Sequence, residues 1–68
     1  MGEKNIVIIT ALLKSPFPQV KKIAAYALST FGKKASSAID DLEELLNDKD
    51  PSIKKAATLA LKRIKKRD

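Results

Sequence analysis

The sequence predicts an all-α protein in which four helices form two stacked antiparallel helical hairpins, a short α-solenoid. The first observation is an internal repeat: when the chain is shifted by 33 residues, ten of the 28 pairs between residues 6–33 and 39–66 are identical. A fixed period of this size is the signature of a repeated supersecondary unit. The other two observations are apolar residues at helical spacing, and prolines and a glycine where such helices would begin and end.

The repeat divides the 68-residue chain into one domain with two units. Repeat one covers about residues 4–33 and repeat two about residues 37–66. Positions 33 residues apart are called equivalent below. A chain of this length is close to the size at which a single apolar core becomes marginal for stability.

Repeat one begins with a helix predicted at about residues 4–13. The β-branched run at residues 6–9 locally favours a strand. Its equivalent at residues 39–42 contains two aspartates and no strand alternation, so we predict helix at both places. The apolar stripe of this helix consists of Ile6, Ile9, Leu12 and Leu13.

The second helix is predicted from Pro18 to about Phe31. Proline suits the first position of a helix and disfavours helical backbone in the residue before it, so Pro16 and Pro18 also end the first helix. Gly32 provides the stop. The predicted core face consists of Val20, Ile23, Ala24, Ala27, Leu28 and Phe31.

Repeat two follows a short polar linker at residues 33–36. Ser36 or Ser37 is the predicted cap of the third helix, and Asp40 and Asp41 fall in its first turn, where negative charge suits the helix dipole. Asp50 before Pro51 caps the fourth helix. The predicted core residues of repeat two are Ile39, Leu42, Leu45, Leu46, Ile53, Ala57, Ala60, Leu61 and Ile64.

Composition argues against an enzyme, a metal site or a cofactor site. The chain contains no Cys and no His, which excludes disulfides, thiolate or imidazole metal ligands and the usual nucleophile and base pairs. The acidic run around Asp40 and Glu44 is interpreted as a solvated helix face. Residues 6–13 resemble the core of a signal peptide, but Lys14 follows directly and no cleavage site is evident. No stretch is long enough to span a bilayer, and we expect a cytoplasmic protein.

The chain resembles HEAT repeats, in particular the short bacterial and archaeal PBS-lyase HEAT-like kind. Repeat two matches the pattern of that family at Ala38, Ile39, Leu42, Leu45, Leu46, Asp48, Asp50, Pro51, Ile53, Lys54, Ala56, Ala57, Ala60, Leu61 and Ile64. Repeat one matches at Leu12, Leu13, Pro18, Val20, Lys21, Ala24, Ala27, Leu28, Phe31 and Gly32. The resemblance implies a platform for partners and is silent on activity.

In the family, an Asp in the hairpin turn and an Arg early in the second helix bridge neighbouring repeats. The chain has Asp48 in the second turn but Lys54 in place of the Arg, and Ser15 and Phe17 stand where Asp48 and Asp50 would be expected in repeat one. Lysine lacks the bidentate fork of arginine. We therefore interpret Asp48 and Lys54 as a structural turn-to-helix bridge.

The resemblance also implies that the second helix of each repeat lines a concave face. Helical spacing points Ala25, Thr58 and a basic ridge outward on that face. The ridge, a predicted partner-binding surface, consists of Lys22, Tyr26, Ser29, Lys55, Leu59, Lys62 and Lys66. The alternative interpretation is a lysine-rich face that only serves solubility.

A second predicted surface is apolar. Val7 and Ile8 are equivalent to Asp40 and Asp41, and Phe17 is an apolar turn residue with a charged equivalent. Exposed large apolar groups in so small a protein suggest an interface. The alternative is that Ile8 and Phe17 cover the open end of repeat one. Because two repeats leave one side of each hairpin without a neighbour, we predict a homodimer formed through the first helix.

These observations predict a small protein-interaction module or scaffold that has no catalytic activity and binds a protein partner, an acidic one by charge, and no membrane. The alternative is a nucleic-acid-binding accessory protein that uses the basic ridge, with Arg63 and Arg67 nearby. The net charge of −5 over residues 40–50 and the lack of aromatic residues to stack on bases count against that alternative.

Overall fold

A computed structural model describes the backbone of residues 2–66 and the side chains of residues 4–66. The helices are α1 (Gly2–Leu12), α2 (Pro18–Phe31), a 3₁₀ segment (Gly32–Ala38), α3 (Ile39–Leu45) and α4 (Pro51–Ile64). Within the described residues there is no strand. The β-branched run at residues 6–9 is helical, as its equivalent in repeat two indicated.

α2, the 3₁₀ segment and α3 follow one another directly from Pro18 to Leu45, so the chain forms three helical stretches. The middle stretch is kinked, because Gly32 and Ala35 have non-helical backbone angles. Gly32 has a φ of 58°, a left-handed backbone value that glycine adopts without the steric cost of a Cβ atom. It ends α2 and redirects the chain into the 3₁₀ segment. This segment replaces the predicted polar linker, and the buried methyl groups of Ala35 and Ala38 hold it against the core.

The starts of the helices differ in how their backbone N–H groups are satisfied. Asp50 caps α4: its carboxylate accepts hydrogen bonds from the Ser52 N–H at 2.9 Å and the Ser52 hydroxyl at 2.7 Å. Phe17 occupies the equivalent position before α2 and provides no side-chain cap. The N-cap of α3 is Ala38, again without a side-chain bond, so the prediction that Ser36 or Ser37 caps this helix is wrong.

The core lies between the hairpins. α2 packs along α4, α1 packs on α2, and α3 packs on α4. The largest fully buried side chains are Leu28, Leu42 and Ile53. Small residues such as Ala24 and Ala57 are buried beside them and allow the helix backbones to approach closely.

Some sequence-based core assignments are wrong. Leu12, Ile23 and Leu46 are exposed, whereas Ala25, which was predicted to point outward, is completely buried. Ala25 lies on the side of α2 that packs along α4, while Ile23 lies on the opposite side of the same helix. Helical spacing found an apolar side of each helix but not the side that a neighbouring repeat covers.

None of the helices within residues 2–66 has both the length and the apolar character needed to cross a membrane.

Candidate interaction surfaces

Equivalent positions in the two repeats have different exposure, and the difference identifies the sides that neighbouring repeats cover. Leu45 is 7% exposed and Ala56 is 0% exposed, and α4, which carries Ala56, packs along α2 of repeat one. Their equivalents in repeat one, Leu12 and Ile23, are 44% and 67% exposed. The side of repeat one that carries Leu12 and Ile23 is therefore the side on which a preceding repeat would pack.

Ile8, Leu12 and Ile23 together are called the apolar end face. Ile8 and Leu12 are four residues apart on α1 and lie on the same side of it, and Ile8 is 61% exposed. The equivalent of Ile8 is Asp41, whose carboxylate lies 3.9 Å from Lys14 Nζ of repeat one. The equivalents of all three members in repeat two are thus either buried or paired with repeat one.

Val7 and Phe17 are exposed as predicted, but they lie away from the apolar end face. Val7 lies about 100° around α1 from Ile8 and lines a hollow of about 310 Å³ beside the polar residues Lys34, Ser36 and Ser37. Phe17 lines another hollow, of about 440 Å³, with Lys22 and Asp50. The exposure of Leu12 and Ile23, 44% and 67%, counts against the alternative in which Ile8 and Phe17 cover the open end.

The opposite end of the molecule is polar. Leu13, Lys21, Ala25 and Ser29 of repeat one are largely buried on the side that faces repeat two. Their equivalents in repeat two are exposed and are called the polar end face; they are Leu46, Lys54, Thr58 and Lys62. One end of the solenoid is therefore mainly hydrophobic and the other mainly polar.

An ion pair joins α2 of repeat one to the turn of repeat two. Lys21 Nζ donates to Asp48 Oδ2 at 3.0 Å, and Asp48 Oδ1 accepts the Asp50 N–H at 2.9 Å. The Asp50 N–H and the Lys21 ammonium hold the pKa of Asp48 below its ordinary value. The pKa of Asp50 is also lowered, by the hydroxyl and the N–H of Ser52. The second turn is thus anchored both to repeat one and to its own helix.

A basic groove of about 540 Å³ lies between the C-terminal ends of α2 and α4. Its cationic residues are Lys62, Arg63 and Lys66, and its apolar residues are Phe31 and Leu59. Ser29, Thr30 and Gly32 complete the lining. Thr30 and Arg63 are equivalent positions, so the same side of each second helix contributes to the groove.

No group of His, Cys, Asp or Glu side chains within the described residues is arranged to hold a metal ion. Besides the two smaller hollows, the candidate surfaces of the described residues are the two end faces and the basic groove. A family model described as HEAT repeats matches residues 7–68. This chain belongs to the HEAT repeat family. No curated protein and no solved structure matches the chain significantly.

HEAT repeats generally mediate protein–protein interactions.

The predicted bridge to Asp48 is present, but a different lysine forms it. The lysine that reaches Asp48 is Lys21 of the preceding repeat, whereas the sequence suggested Lys54. Lys54 lies near enough to lower the pKa of Asp48 only as a minor cause. Lys21 thus reaches forward from repeat one to the turn of repeat two.

The predicted basic ridge is only partly brought together. Ser29, Leu59, Lys62 and Lys66 line the basic groove, while Lys22 lines the hollow beside Phe17. Tyr26 and Lys55 are exposed outside both. Ser29 was predicted to point outward, but it is buried and its hydroxyl donates to the Tyr26 carbonyl oxygen at 2.5 Å.

The predicted ridge of this HEAT protein lacked four residues that line the groove, namely Thr30, Phe31, Gly32 and Arg63. Arg63 was named only as a neighbour of the ridge, and Phe31 was assigned to the core. Phe31 is half-buried and contributes to both core and groove. The equivalence of Arg63 with Thr30 was available in the sequence, but only the packing of α2 along α4 shows that these positions border one cleft. Arg67 lies outside the described residues.

Proposed function

We propose that this HEAT protein is a small non-catalytic scaffold whose apolar end face binds another protein, and that this protein is a second copy of the chain. The observation that carries the proposal is the exposure of Ile8, Leu12 and Ile23, whose equivalents in repeat two are either buried or paired with repeat one. Clustered large apolar side chains on a monomer mark interaction surfaces. The cytoplasm is the proposed compartment, because small secreted domains usually depend on disulfides and this chain has no Cys.

A head-to-tail contact between copies is disfavoured by charge. It would place the polar end face of one copy on the apolar end face of the next. Lys54 would then face Ser15, where Lys21 finds Asp48 within the chain. Lys62 would take the place of the buried Ser29. Burying these cations without carboxylate partners carries a desolvation cost, and no ion pair in the contact would offset it.

A two-fold contact places one apolar end face against the other and requires no charged group at its centre. Such an isologous arrangement is the commonest form of homodimer. Residues 1–39 carry a net charge of +5, so the two halves repel each other at low ionic strength. Added salt screens this repulsion, and the dimer should therefore become tighter as salt is raised.

Sedimentation of matched variants tests the proposal. Leu12→Glu should give a monomer with an unchanged helical circular dichroism spectrum, because it places a charge in the two-fold contact. Leu46→Glu is the control, since Leu46 is an exposed leucine on the opposite end, and it should remain dimeric. A wild-type chain that stays monomeric at high concentration overturns the proposal. Monomerisation by both variants would indicate a head-to-tail contact instead.

A second candidate function is nucleic-acid binding, and the observation that favours it is the cluster of three cationic residues at the basic groove. Phosphate contacts release counterions, so such binding falls steeply with salt. This salt dependence is opposite in sign to that of the two-fold dimer. Titration with an oligonucleotide at about 50 and 200 mM salt therefore separates the two functions.

A further inference from the structure

We propose that the basic groove is a second protein-binding site, which takes an acidic peptide segment carrying one apolar side chain. The groove lies between the C-terminal ends of α2 and α4, whereas the apolar end face is formed by α1 and the opposite side of α2. The proposal is therefore independent of self-association and can fail or succeed separately from it.

Unlike Lys14, Lys21 and Lys65, the cations of the groove have no carboxylate partner among the described residues. Lys21 pairs with Asp48 at 3.0 Å, Lys65 pairs with Glu43 at 2.9 Å, and Lys14 lies 3.9 Å from Asp41. Within residues 2–66, no ion pair joins Lys62, Arg63 or Lys66 to a carboxylate. Three positive groups thus meet at one cleft without a neutralising charge from the described part of the chain.

The spacing of these residues on and just beyond α4 makes them repel one another. Lys62 and Arg63 lie in the last turn of α4 and Lys66 lies two residues beyond its end, so three like charges line one cleft and repel one another. The helix dipole offsets part of this repulsion, because cations are favoured near a helix C-terminus. A bound carboxylate would remove the remainder and would gain charge-assisted hydrogen bonds, including a bidentate pair with Arg63.

The apolar part of the groove indicates that the ligand is more than a free anion. Phe31 and Leu59 are half-buried and line the same cleft as the cations. Its volume of about 540 Å³ lies within the usual range for ligand pockets. It accommodates an apolar side chain flanked by carboxylates, the combination that an acidic peptide presents.

A nucleic-acid strand fits the same surface less well. Its backbone needs a track of cations with aromatic side chains for stacking, but the cations of the groove are confined to residues 62–66. Further along the concave side, Lys22 shares its hollow with the carboxylate of Asp50. This negative group interrupts the positive track, so the groove suits a short acidic segment better than a polyanion.

Fluorescence anisotropy with a labelled peptide of about seven residues, composed of Asp and Glu around one central Leu, tests the proposal. The variant Lys62→Glu with Arg63→Glu reverses two charges at the groove. The control, Lys49→Glu with Lys54→Glu, makes the same change in net charge at exposed positions outside the groove. The groove variant should lose at least about tenfold in affinity and the control less than about threefold. Replacing the central Leu by Ser should weaken binding several-fold.

Four results would overturn the proposal. They are no binding of the peptide at about 50 mM salt, equal losses in the groove and control variants, no effect of the Leu to Ser change, or displacement of the peptide by a tighter-binding oligonucleotide. The last result would favour nucleic acid as the ligand. Circular dichroism of both variants verifies folding, and sedimentation of the groove variant should still show a dimer if the apolar end face acts as proposed.

Discussion

The two repeats carry similar residues in different environments. Position 12 and its equivalent position 45 are both leucine, yet Leu12 is 44% exposed and Leu45 is 7% exposed. The residue type is the same and each leucine is the last residue of its helix, so we attribute the difference to the presence of a preceding repeat. The side of repeat one that carries Leu12 is therefore exposed, whereas the equivalent side of repeat two is buried. We propose that a second copy of the chain binds to the exposed side.

The two turns show the same asymmetry in their polar contacts. In the second turn, Asp48 and Asp50 accept bonds from Lys21, from the Asp50 N–H and from Ser52. In the first turn the side-chain acceptor is Ser15, which takes the Phe17 N–H at 3.1 Å. The second turn is stabilised by hydrogen bonds to carboxylates. The first turn is stabilised by the restricted backbone of its prolines and by one side-chain hydrogen bond to an uncharged hydroxyl. Carboxylate chemistry thus links a turn to the repeat before it.

The largest expected difference between the repeats comes from truncating the equivalent leucines, Leu12 and Leu45. Leu45→Ala should lower the free energy of unfolding by about 2–5 kcal/mol, because it removes buried methyl groups and leaves a cavity. Leu12→Ala should change it by less than about 1 kcal/mol at concentrations where the chain is monomeric. Urea denaturation of the two variants measures the difference. Equal losses would contradict the assignment of the open and covered sides.

The next effect comes from exchanging the residues at positions 23 and 56. Ala56→Ile places the larger side chain of the first repeat in a fully buried site and should cost about 1–3 kcal/mol through overpacking. Ile23→Ala should stay within about 0.5 kcal/mol in the monomer, because the site is exposed. Thermal denaturation of dilute samples measures both. An Ile23→Ala variant that loses stability as strongly as Ala56→Ile would show that Ile23 is packed.

The smallest expected effect concerns acid and distinguishes the two turns. The lowered pKa values of Asp48 and Asp50 mean that their contribution to stability is fully present above the ordinary aspartate pKa, near about pH 4. It is lost as the pH falls through the lower folded values. Asp48→Asn should flatten the acid side of the stability curve measured by denaturation between about pH 2 and 5.

Ser15→Ala is the control for the acid experiment, since it removes the acceptor of the first turn without removing a titrating group. The variant should show the same dependence of stability on pH in the acid range as the wild type. Lys21→Met should reduce the acid dependence only in part, because the Asp50 N–H remains as the larger cause of the low Asp48 pKa. An unchanged acid limb in Asp48→Asn would show that the second turn is not held by its carboxylate.

The sequence by itself determined the helical repeat and most of its boundaries. Pro18, Pro51 and Gly32 restrict the backbone directly, and Asp50 supplies its cap to a residue two positions away. These are local effects that need no knowledge of the rest of the fold. The 33-residue period added what local propensity alone would have missed, since it predicted helix for the β-branched run at residues 6–9.

Only the tertiary structure decided which side of each helix meets a neighbour. Ala25 is buried and its equivalent Thr58 is exposed, and Lys21 rather than Lys54 forms the bridge to Asp48. The basic groove likewise exists because α2 packs along α4 and brings residues 29–32 beside residues 59–66. Helical periodicity defines positions around a single axis, whereas the covered side depends on how two axes stack, and this is set by contacts between residues far apart in the chain.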